Sequence, residues 1–379
     1  MALVLNEEQN YLKDTAREFF KQNAPIEALR KLRDERDPQG WSKELWQQMV
    51  ELGWSGIVMP EAYGGLEFGY LGLGAIVEES GRTLSASPLL ASVVLAGSCI
   101  ELAGSEEQKI SHLTALIEGS KTFALAVDEG PHHQPLQTAL SATQSGDQWT
   151  LNGNKSFVID GASADSLVVV ARTSGEPGDA EGISLFLVDA EANGLKRERL
   201  IMSDSRHYAD LNFDSVLVDN DALLGEAGAG FQILDKALDR GRIVLAAEML
   251  GSMREAFERT VEYLKEREQF GAKIGSFQAL QHRAADMYCD IQLTQSVVLD
   301  ALSAIDENRP DLAKSASLAK ARCNDVFHHI AGEAVQMHGG IGVTDELEIG
   351  FFLKRSRMAT QLLGNSGFHR DRYASACGY

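Results

Sequence analysis

A cation, an aromatic ring and an amide lie close together in the sequence near residue 270. They are Arg267, Phe270 and Gln278, and two glycines, Gly271 and Gly275, lie between the last two. A guanidinium binds anions through a fixed fork of N–H donors, and an aromatic ring packs against a flat partner. The group could therefore hold an anion next to a flat ring. Taken alone, a structural corner between two helices is the simpler interpretation, and the motifs described below reverse that preference.

The residues before this group predict a long amphipathic helix. Apolar side chains recur in steps of three, four or seven residues, which places them on one stripe of a helix. Gly271 and Gly275 then interrupt the helix, and Ser276 is a favourable N-cap for a second helix over about 277–308. The stripe consists of Leu234, Leu238, Leu245, Met249, Met253, Phe257, Val261 and Leu264.

The period of the apolar residues divides the chain into three blocks. Residues 1–120 predict helices, and residues 121–226 change to a period of two, or to short β-branched runs between turns, which is typical of a β-barrel or sandwich. Residues 227–379 predict four long helices and hence an up-and-down bundle. The predicted fold class is therefore mixed α and β. The first helices are expected at 7–22, 42–52, 71–82, 88–103 and 106–118; the strands at 122–127, 138–143, 149–151, 156–159, 166–172, 183–188 and 209–218; and the last helices at about 230–267, 277–308, 310–337 and 345–362.

The charge balance argues against several classes of partner. Of 379 residues, 55 are acidic and 35 basic, for a net charge of −20. Such a chain is not expected to bind nucleic acid or an anionic membrane, and no uncharged apolar run is long enough to insert across one. The four cysteines are far apart with no CxxC pair, so neither a metal site nor a disulfide framework is predicted. A cytoplasmic location is expected, because no secretory signal is visible at the start of the chain.

Four stretches together resemble motifs of the acyl-CoA dehydrogenase family. They are YLKEREQFG at 263–271 with FQ at 277–278, LNGNKSF at 151–157, LDRGRI at 238–243 and QMHGGIG at 336–342. They follow the family's order and spacing over essentially the whole chain. The resemblance implies a helical domain, a middle β-domain and a helical bundle, with FAD as cofactor and acyl-CoA as substrate. In this family a carboxylate removes the α-proton of the thioester while hydride leaves the β-carbon for the flavin.

The resemblance implies two groups of cofactor contacts. The ADP half of FAD is expected at Arg267, Phe270, Gln278, Gln336, Gly339 and Gly340, which in the family usually reach the FAD of a neighbouring subunit. An ordinary helix C-cap is an equally good interpretation of Gly339 and Gly340 alone. The flavin ring is expected near Val127, Asp128 and Phe157.

The ring half departs from the family pattern. Asp128 replaces a Thr whose hydroxyl normally contacts the ring, Gly130 replaces a Pro, and Ile159 replaces a Thr or Ser that faces the flavin. A missing hydrogen bond weakens binding by roughly 0.5–1.5 kcal/mol, so these changes predict weaker binding without abolishing it. His132 and His133 are expected to be solvated loop residues. A place in the core of the β-domain is the alternative for Phe157.

The base positions depart further. Leu363 occupies the position of the family's C-terminal Glu, and Gly241 occupies the alternative position. Neither side chain can accept a proton. Asp239 and Arg242 match residues that meet the CoA pantetheine in relatives, although a charge pair within one helix explains them equally well once the base is missing.

Three hypotheses follow from these departures. The preferred one is a subunit of a heteromeric acyl-CoA dehydrogenase that lacks the catalytic Glu, acting with its partner on fatty acyl or steroid side chains. The second is a self-sufficient enzyme with a relocated base, for which Asp128, Glu129 and Asp239 are the candidates. The third is a non-catalytic protein that binds acyl-CoA or flavin. A homo- or hetero-tetramer is expected, with electron-transfer flavoprotein as the electron acceptor if the assembly is active.

Overall fold

Helices at both ends of the chain enclose a block of strands in the sequence. The computed structural model describes residues 4–379, and it confirms the expected class of a helical segment, a β-sheet segment and a second helical segment. In space the chain forms two compact units. One contains the residues up to Arg30 together with 70–85 and 242–379, and the other contains 31–69 and 86–241. Within the described range no helix is both long and apolar enough to cross a membrane.

The first helical segment has one helix more than the periodicity predicts. The additional helix, α2, has nine residues and five charges (IEALRKLRD), too short a stretch to show a repeating stripe. The segment expected as one helix over 88–103 begins instead with a π-helical stretch, Leu89–Ala96. Capping boxes fix two of the helix starts, because Asn6 pairs with Gln9 and Ser105 pairs with Gln108. The helices are α1 Glu7–Asn23, α2 Ile26–Asp34, α3 Lys43–Glu51, α4 Tyr70–Arg82, α5 Gly97–Ala103 and α6 Glu106–Ile117.

The strands form one eight-stranded sheet. Its order is β6-β7-β3-β2-β4-β5-β8, and β1 pairs with β4 in parallel. The two segments expected at 149–151 and 156–159 are a single strand, β3. Strand β6 is not apparent in the sequence because its centre is the charged run Lys196–Arg199. The strands are β1 Phe123–Ala126, β2 Ser141–Ser145, β3 Gln148–Ile159, β4 Ser166–Arg172, β5 Ile183–Asp189, β6 Leu195–Ile201, β7 His207–Asp219 and β8 Leu223–Leu224.

The sheet curls so that its two halves share one core. Strands β2 and β4 pair through Ser141 and Arg172 alone. This single pair joins the half formed by β6, β7, β3 and β2 to the half that contains β4, β5 and β8, so the two halves need not lie in one plane. The rings of Trp149 on β3 and Phe186 on β5 then meet with their centroids 5.3 Å apart. Alternation of apolar residues along each strand fills the enclosed space. The sheet therefore packs against itself, as the expected barrel or sandwich requires.

The second helical segment contains the four expected helices and a fifth. They are α7 Phe231–Glu266, α8 Gln278–Asp306, α9 Leu312–His338, α10 Ile349–Gln361 and α11 Ser366–Ala376. Of the α11 side chains only His369 is buried, so this helix has no apolar stripe that the sequence could reveal. Asn365 caps it by accepting a hydrogen bond from the Phe368 amide.

The connection between α7 and α8 corrects one expectation. A two-stranded hairpin, β9 Glu268–Gln269 and β10 Ala272–Lys273, follows α7 directly. Ser276 does not cap α8; its hydroxyl donates to the Lys273 carbonyl at 2.7 Å, within a short 3-10 turn. The N-cap residue is Phe277, whose side chain makes no capping bond.

Candidate functional site

The hairpin after α7 presents an aromatic ring to solvent. Its turn residues Phe270 and Gly271 both have positive φ, +55° and +75°, as a two-residue hairpin of the type I′ class requires. Glycine adopts this conformation freely, whereas a residue with a Cβ is destabilised by about 1–2 kcal/mol. Phe270 is 94% exposed, and its ring lies edge-to-face with the Phe277 ring, at 6.3 Å between centroids. An exposed aromatic residue with a strained backbone does not stabilise the folded chain, which points to contact with another molecule.

Three polar side chains of the ADP-half motifs are exposed and unengaged. Arg267, Gln278 and Gln336 lie at the surface of the same compact unit as Phe270. Within residues 4–379 their guanidinium and amide groups make no hydrogen bond or ion pair. Their donors are therefore available to a ligand or to a partner subunit.

A ring contact joins the two ADP-half motifs. Tyr263, one turn before Arg267, stacks on His338 with centroids 4.4 Å apart, and its hydroxyl donates to the His338 carbonyl at 3.3 Å. His338 ends α9 and is followed by Gly339 at φ +64° and ψ −144°, a conformation that essentially only glycine adopts. Gly339 is therefore the C-cap of α9, which was the alternative to a ligand-binding role in the sequence analysis. A Cβ added at Gly339 or Gly340 would meet nothing within 4 Å, so a ligand can approach this backbone closely.

These groups fit the ADP half of a dinucleotide. An unpaired guanidinium and an open glycine backbone suit a diphosphate, while an exposed aromatic ring suits a purine. The amides of Gln278 and Gln336 can donate to and accept from either part.

On the ring side, a β-bulge turns Phe157 out of the sheet. Lys155 pairs with Leu211 and Val158 with Ala209, so two residues of β3 oppose Asp210 alone. Phe157 has φ +53°, and its amide donates to the Asp210 carboxylate at 3.1 Å. Its ring is 42% exposed. This exposure argues against the core alternative for Phe157 and leaves the ring free to face a ligand.

The carboxylate of Asp128 is engaged by its own loop. One oxygen lies 2.8 Å from Nδ1 of His133, and the other accepts the Gln134 amide at 3.0 Å. The Asp128 carbonyl accepts the Ser156 amide at 2.7 Å. His133 is consequently buried, whereas His132 is exposed. The expectation of two solvated histidines is therefore wrong for His133, because a paired carboxylate holds its ring inside the loop.

Glu129 is also fully engaged. Its carboxylate accepts the amides of Ala139 and Leu140 at 2.8 and 2.9 Å and the ammonium of Lys155 at 2.7 Å. Lys155 is completely buried and donates a second bond to the carbonyl of Val127 at 2.8 Å. Burial lowers the pKa of the Lys155 ammonium, and the Glu129 carboxylate opposes that shift. The Val127–Glu129 segment is thus fixed to β3 from inside the unit.

The ring side fits an isoalloxazine only in part. Phe157 offers an exposed aromatic face, but Ile159 is buried with 2% exposure and offers no hydroxyl. Both oxygens of Asp128 already accept hydrogen bonds within the loop. The donor set of the ring side is therefore weaker than that of the ADP side.

No proton acceptor occupies either family base position. Gly241 is buried within α7, and Leu363 lies in the connection between α10 and α11 with 6% exposure and φ +60°. Arg242 is 1% exposed, and its Nε lies 3.4 Å from the Leu363 carbonyl oxygen. The Phe368 ring lies over the Arg242 guanidinium at 5.5 Å. Asp239, the other predicted substrate contact, is also buried.

Sequence reasoning missed Lys320, which is completely buried beside this connection. Its ammonium donates to Asn324 Oδ1 at 2.7 Å, to the Ala359 carbonyl at 2.8 Å and to the Gly364 carbonyl at 3.1 Å. Burial lowers the pKa of the Lys320 ammonium to about 7, while three acceptors stabilise its charged form. The signal was present in the sequence, because Lys320 falls on the apolar stripe of α9 that contains Ala316, Cys323 and Phe327.

Comparison with known proteins gives three successive matches to one family along the chain. Models of the acyl-CoA dehydrogenase N-terminal, middle and C-terminal domains match residues 6–120, 127–216 and 228–377. The caffeyl-CoA reductase–Etf complex subunit CarC of Acetobacterium woodii is 30% identical over 371 residues, which cover 96% of each chain.

Solved structures agree with the sequence matches. Butyryl-CoA dehydrogenase from Megasphaera elsdenii superimposes with a TM-score of 0.91 at 29% identity over 100% of both chains. A chain of the ChsE4-ChsE5 complex from Mycobacterium tuberculosis superimposes with a TM-score of 0.90 at 25% identity, over 100% of this chain and 99% of that one. Because the three domain models span nearly all of the sequence and full-length relatives share its fold, this chain belongs to the acyl-CoA dehydrogenase family of flavoprotein oxidoreductases.

Proposed function

We propose that this chain is the base-lacking subunit of a heteromeric, FAD-dependent acyl-CoA dehydrogenase and that it contributes contacts to the ADP half of the cofactor. The observation that carries the proposal is Leu363 at one family base position and Gly241 at the other. A partner subunit supplies the carboxylate that removes the α-proton of the acyl thioester. FAD, when bound, supplies the acceptor for the hydride.

The residues of this chain bind and orient rather than transfer protons. Arg267 neutralises a diphosphate, and the open backbone at Gly339 and Gly340 lets that group approach closely. Phe270 covers a purine face, and the amides of Gln278 and Gln336 fix its orientation. All six residues lie in the same compact unit, and the three polar side chains are unengaged, which supports their donation to a neighbouring subunit.

The hydrogen bonds at the candidate bases disfavour a self-sufficient enzyme. Glu129 accepts two amides and an ammonium, and Asp128 accepts an amide and pairs with His133. Asp239 is buried. Lys320 cannot serve as the base either, because its three N–H bonds already have three acceptors.

The remaining assignments rest on the family. Val127 and Phe157 are proposed to face the flavin ring if a ring binds in this chain. Asp239 and Arg242 remain proposed contacts to acyl-CoA, although Arg242 now has a competing structural role at the Leu363 carbonyl. Similarity to a chain of the ChsE4-ChsE5 complex supports assembly with a second subunit of the family. Similarity to CarC, a subunit of a reductase–Etf complex, supports electron-transfer flavoprotein as the electron acceptor.

Flavin absorbance tests the proposal directly. The chain is purified alone and again with a dehydrogenase encoded beside it, and each sample is treated with acyl-CoA. Flavin is expected only in the co-purified complex, where the substrate bleaches it. Bleachable flavin in the isolated chain would support a self-sufficient enzyme. A chain that finds no partner and binds flavin or acyl-CoA without bleaching would instead be a binding protein.

A further inference from the structure

The Lys320 ammonium is a buried cation without a counter-charge. No carboxylate in the described part of the chain lies within ion-pair distance of its Nζ. Burying an unpaired ammonium destabilises the folded state, and an apolar side chain on this buried face of α9 would destabilise it less. Its three acceptors are an amide and two backbone carbonyls. The three hydrogen bonds fix the arrangement of those acceptors around the ammonium.

Two of the acceptors lie on either side of Leu363, one near the end of α10 and one in the connection between α10 and α11. The Ala359 carbonyl lies in the last turns of α10, and the Gly364 carbonyl follows Leu363 directly. Asn324, one turn beyond Lys320 on α9, donates its amide to the same Gly364 oxygen at 3.3 Å. Lys320 and Asn324 thus join α9 to both ends of the short segment that contains Leu363.

Leu363 is held in a conformation that it does not favour. Leu363 and Gly364 have consecutive positive φ values of +60° and +109°. The Leu363 carbonyl accepts from Arg242 Nε at 3.4 Å and from His369 Nε2 at 3.0 Å. Since a left-handed leucine is strained, the surrounding donors must maintain it. Four side chains from three helices therefore fix the backbone of residues 363 and 364.

We propose that Lys320 is a positioning residue that fixes the direction of the side chain at position 363. This role rests on the proposed function, which identifies position 363 as the family base position. This chain has Leu363 at that position instead of a carboxylate, and the hydrogen bonds of Lys320, Asn324, Arg242 and His369 fix the backbone that carries it.

Hydrogen exchange of the full chain, measured peptide by peptide, tests the local part of the proposal. Lys320→Met removes the ammonium while keeping a long apolar side chain. Lys155→Met is the matched control, because Lys155 is equally buried but lies in the other compact unit. Lys320→Met is expected to speed exchange at residues 359–369 at least tenfold, and Lys155→Met should leave these residues unchanged. A uniform increase over all peptides in Lys320→Met would overturn the proposal.

A pH profile separates positioning from a merely structural role. Leu363→Glu and Leu363→Gln differ only in a titrating carboxyl, so the difference between their melting temperatures across pH reports its midpoint. A nearby cation lowers the pKa of a carboxyl. Adding Lys320→Met to both variants is therefore expected to raise the midpoint by about one pH unit or more. An unchanged midpoint would refute the positioning role.

Asn324→Ala provides a second variant if Lys320→Met does not fold. It keeps the cation and removes two contacts of the same network, the bond to Lys320 and the bond to the Gly364 carbonyl. Faster exchange confined to residues 359–369 supports the proposal, and unchanged exchange there contradicts it. None of these measurements needs flavin or a partner subunit, so their outcome is independent of the heteromer proposal.

Discussion

Tyr263 and His338 stack with ring centroids 4.4 Å apart, and the Tyr263 hydroxyl donates to the His338 carbonyl. Tyr263 lies in the last turn of α7, just before Arg267, and His338 ends α9, the helix that contains Gln336. The contact brings two motifs that are more than sixty residues apart in the sequence to one end of the same unit. It supports the proposal that Arg267 and Gln336 belong to a single ADP site.

Arg267→Ala is expected to lower the flavin affinity of the assembly at least tenfold. A hydrogen bond to a charged group contributes roughly 1.5–3 kcal/mol. The Arg267 guanidinium makes no hydrogen bond or ion pair within residues 4–379, so a loss of flavin affinity would not come from a broken contact inside the chain. The melting temperature of the isolated chain should not change. Flavin titration of the assembly checks the affinity, with Lys265→Ala as an exposed-cation control. Unchanged flavin affinity in Arg267→Ala would remove Arg267 from the site.

Phe157→Leu is expected to shift the flavin spectrum or weaken flavin binding without destabilising the chain. The ring is 42% exposed on a bulge, and an aromatic contact is worth roughly 0.5–1.5 kcal/mol beyond its buried area. Phe213→Leu, a buried residue on β7, should instead lower the melting temperature and leave the spectrum unchanged. If Phe157→Leu behaves like Phe213→Leu, the ring belongs to the core.

The isolated chain is expected not to dehydrogenate acyl-CoA. Loss of a positioned base lowers the rate by about 10²–10⁴-fold, so stopped-flow bleaching should be absent or very slow. Leu363→Glu tests whether the carboxylate is all that is missing, with Leu363→Gln as the uncharged control. Activity in Leu363→Glu alone would mean that it is. An ordinary dehydrogenase rate in the unmodified isolated chain would show that a base exists outside both family positions.

Gly40→Ala is expected to destabilise the chain far more than Gly64→Ala. Both glycines have positive φ, +78° and +91°, so each alanine carries about 1–2 kcal/mol of backbone strain. A Cβ at Gly40 would also lie 2.1 Å from His207 Cγ, whereas one at Gly64 meets nothing within 4 Å. The steric overlap adds roughly 1–3 kcal/mol. Urea denaturation of both variants checks the difference, and equal losses would contradict the close packing on His207.

Acid is expected to weaken the fold through His207. Burial, with a smaller repulsion from Arg199, lowers the pKa of His207 from 6.5 to about 4. Between these values the unfolded chain binds a proton that the folded chain does not, so the free energy of unfolding falls as the pH falls. The loss approaches about 3 kcal/mol near pH 4. His207→Phe should flatten this part of the curve, and the exposed His132→Gln should not.

Local patterns determined most of the secondary structure. The long stripe before Leu264 predicted α7 nearly to the residue, because a helix of 36 residues repeats its apolar period many times. The short α2, the charged β6 and the mostly exposed α11 were not predicted, because none of them shows a repeating apolar period. The ADP-half assignments stay predictions, and the structure shows only that these residues lie at or near helix ends and turns.

Tertiary structure alone decided which candidate groups remain available for chemistry. Phe157 is exposed because two residues of β3 oppose one of β7, and register is a property of strand pairing rather than of either strand. His133 is buried because Asp128 and Gln134 fold the loop back on itself. Two of the three acceptors of Lys320 lie about forty positions away in the sequence. Hydrogen bonds between distant segments form only after the chain has packed. No local sequence pattern could therefore show that the side chains of Glu129 and Lys320 are hydrogen-bonded within the protein, or that the Arg267 guanidinium is not.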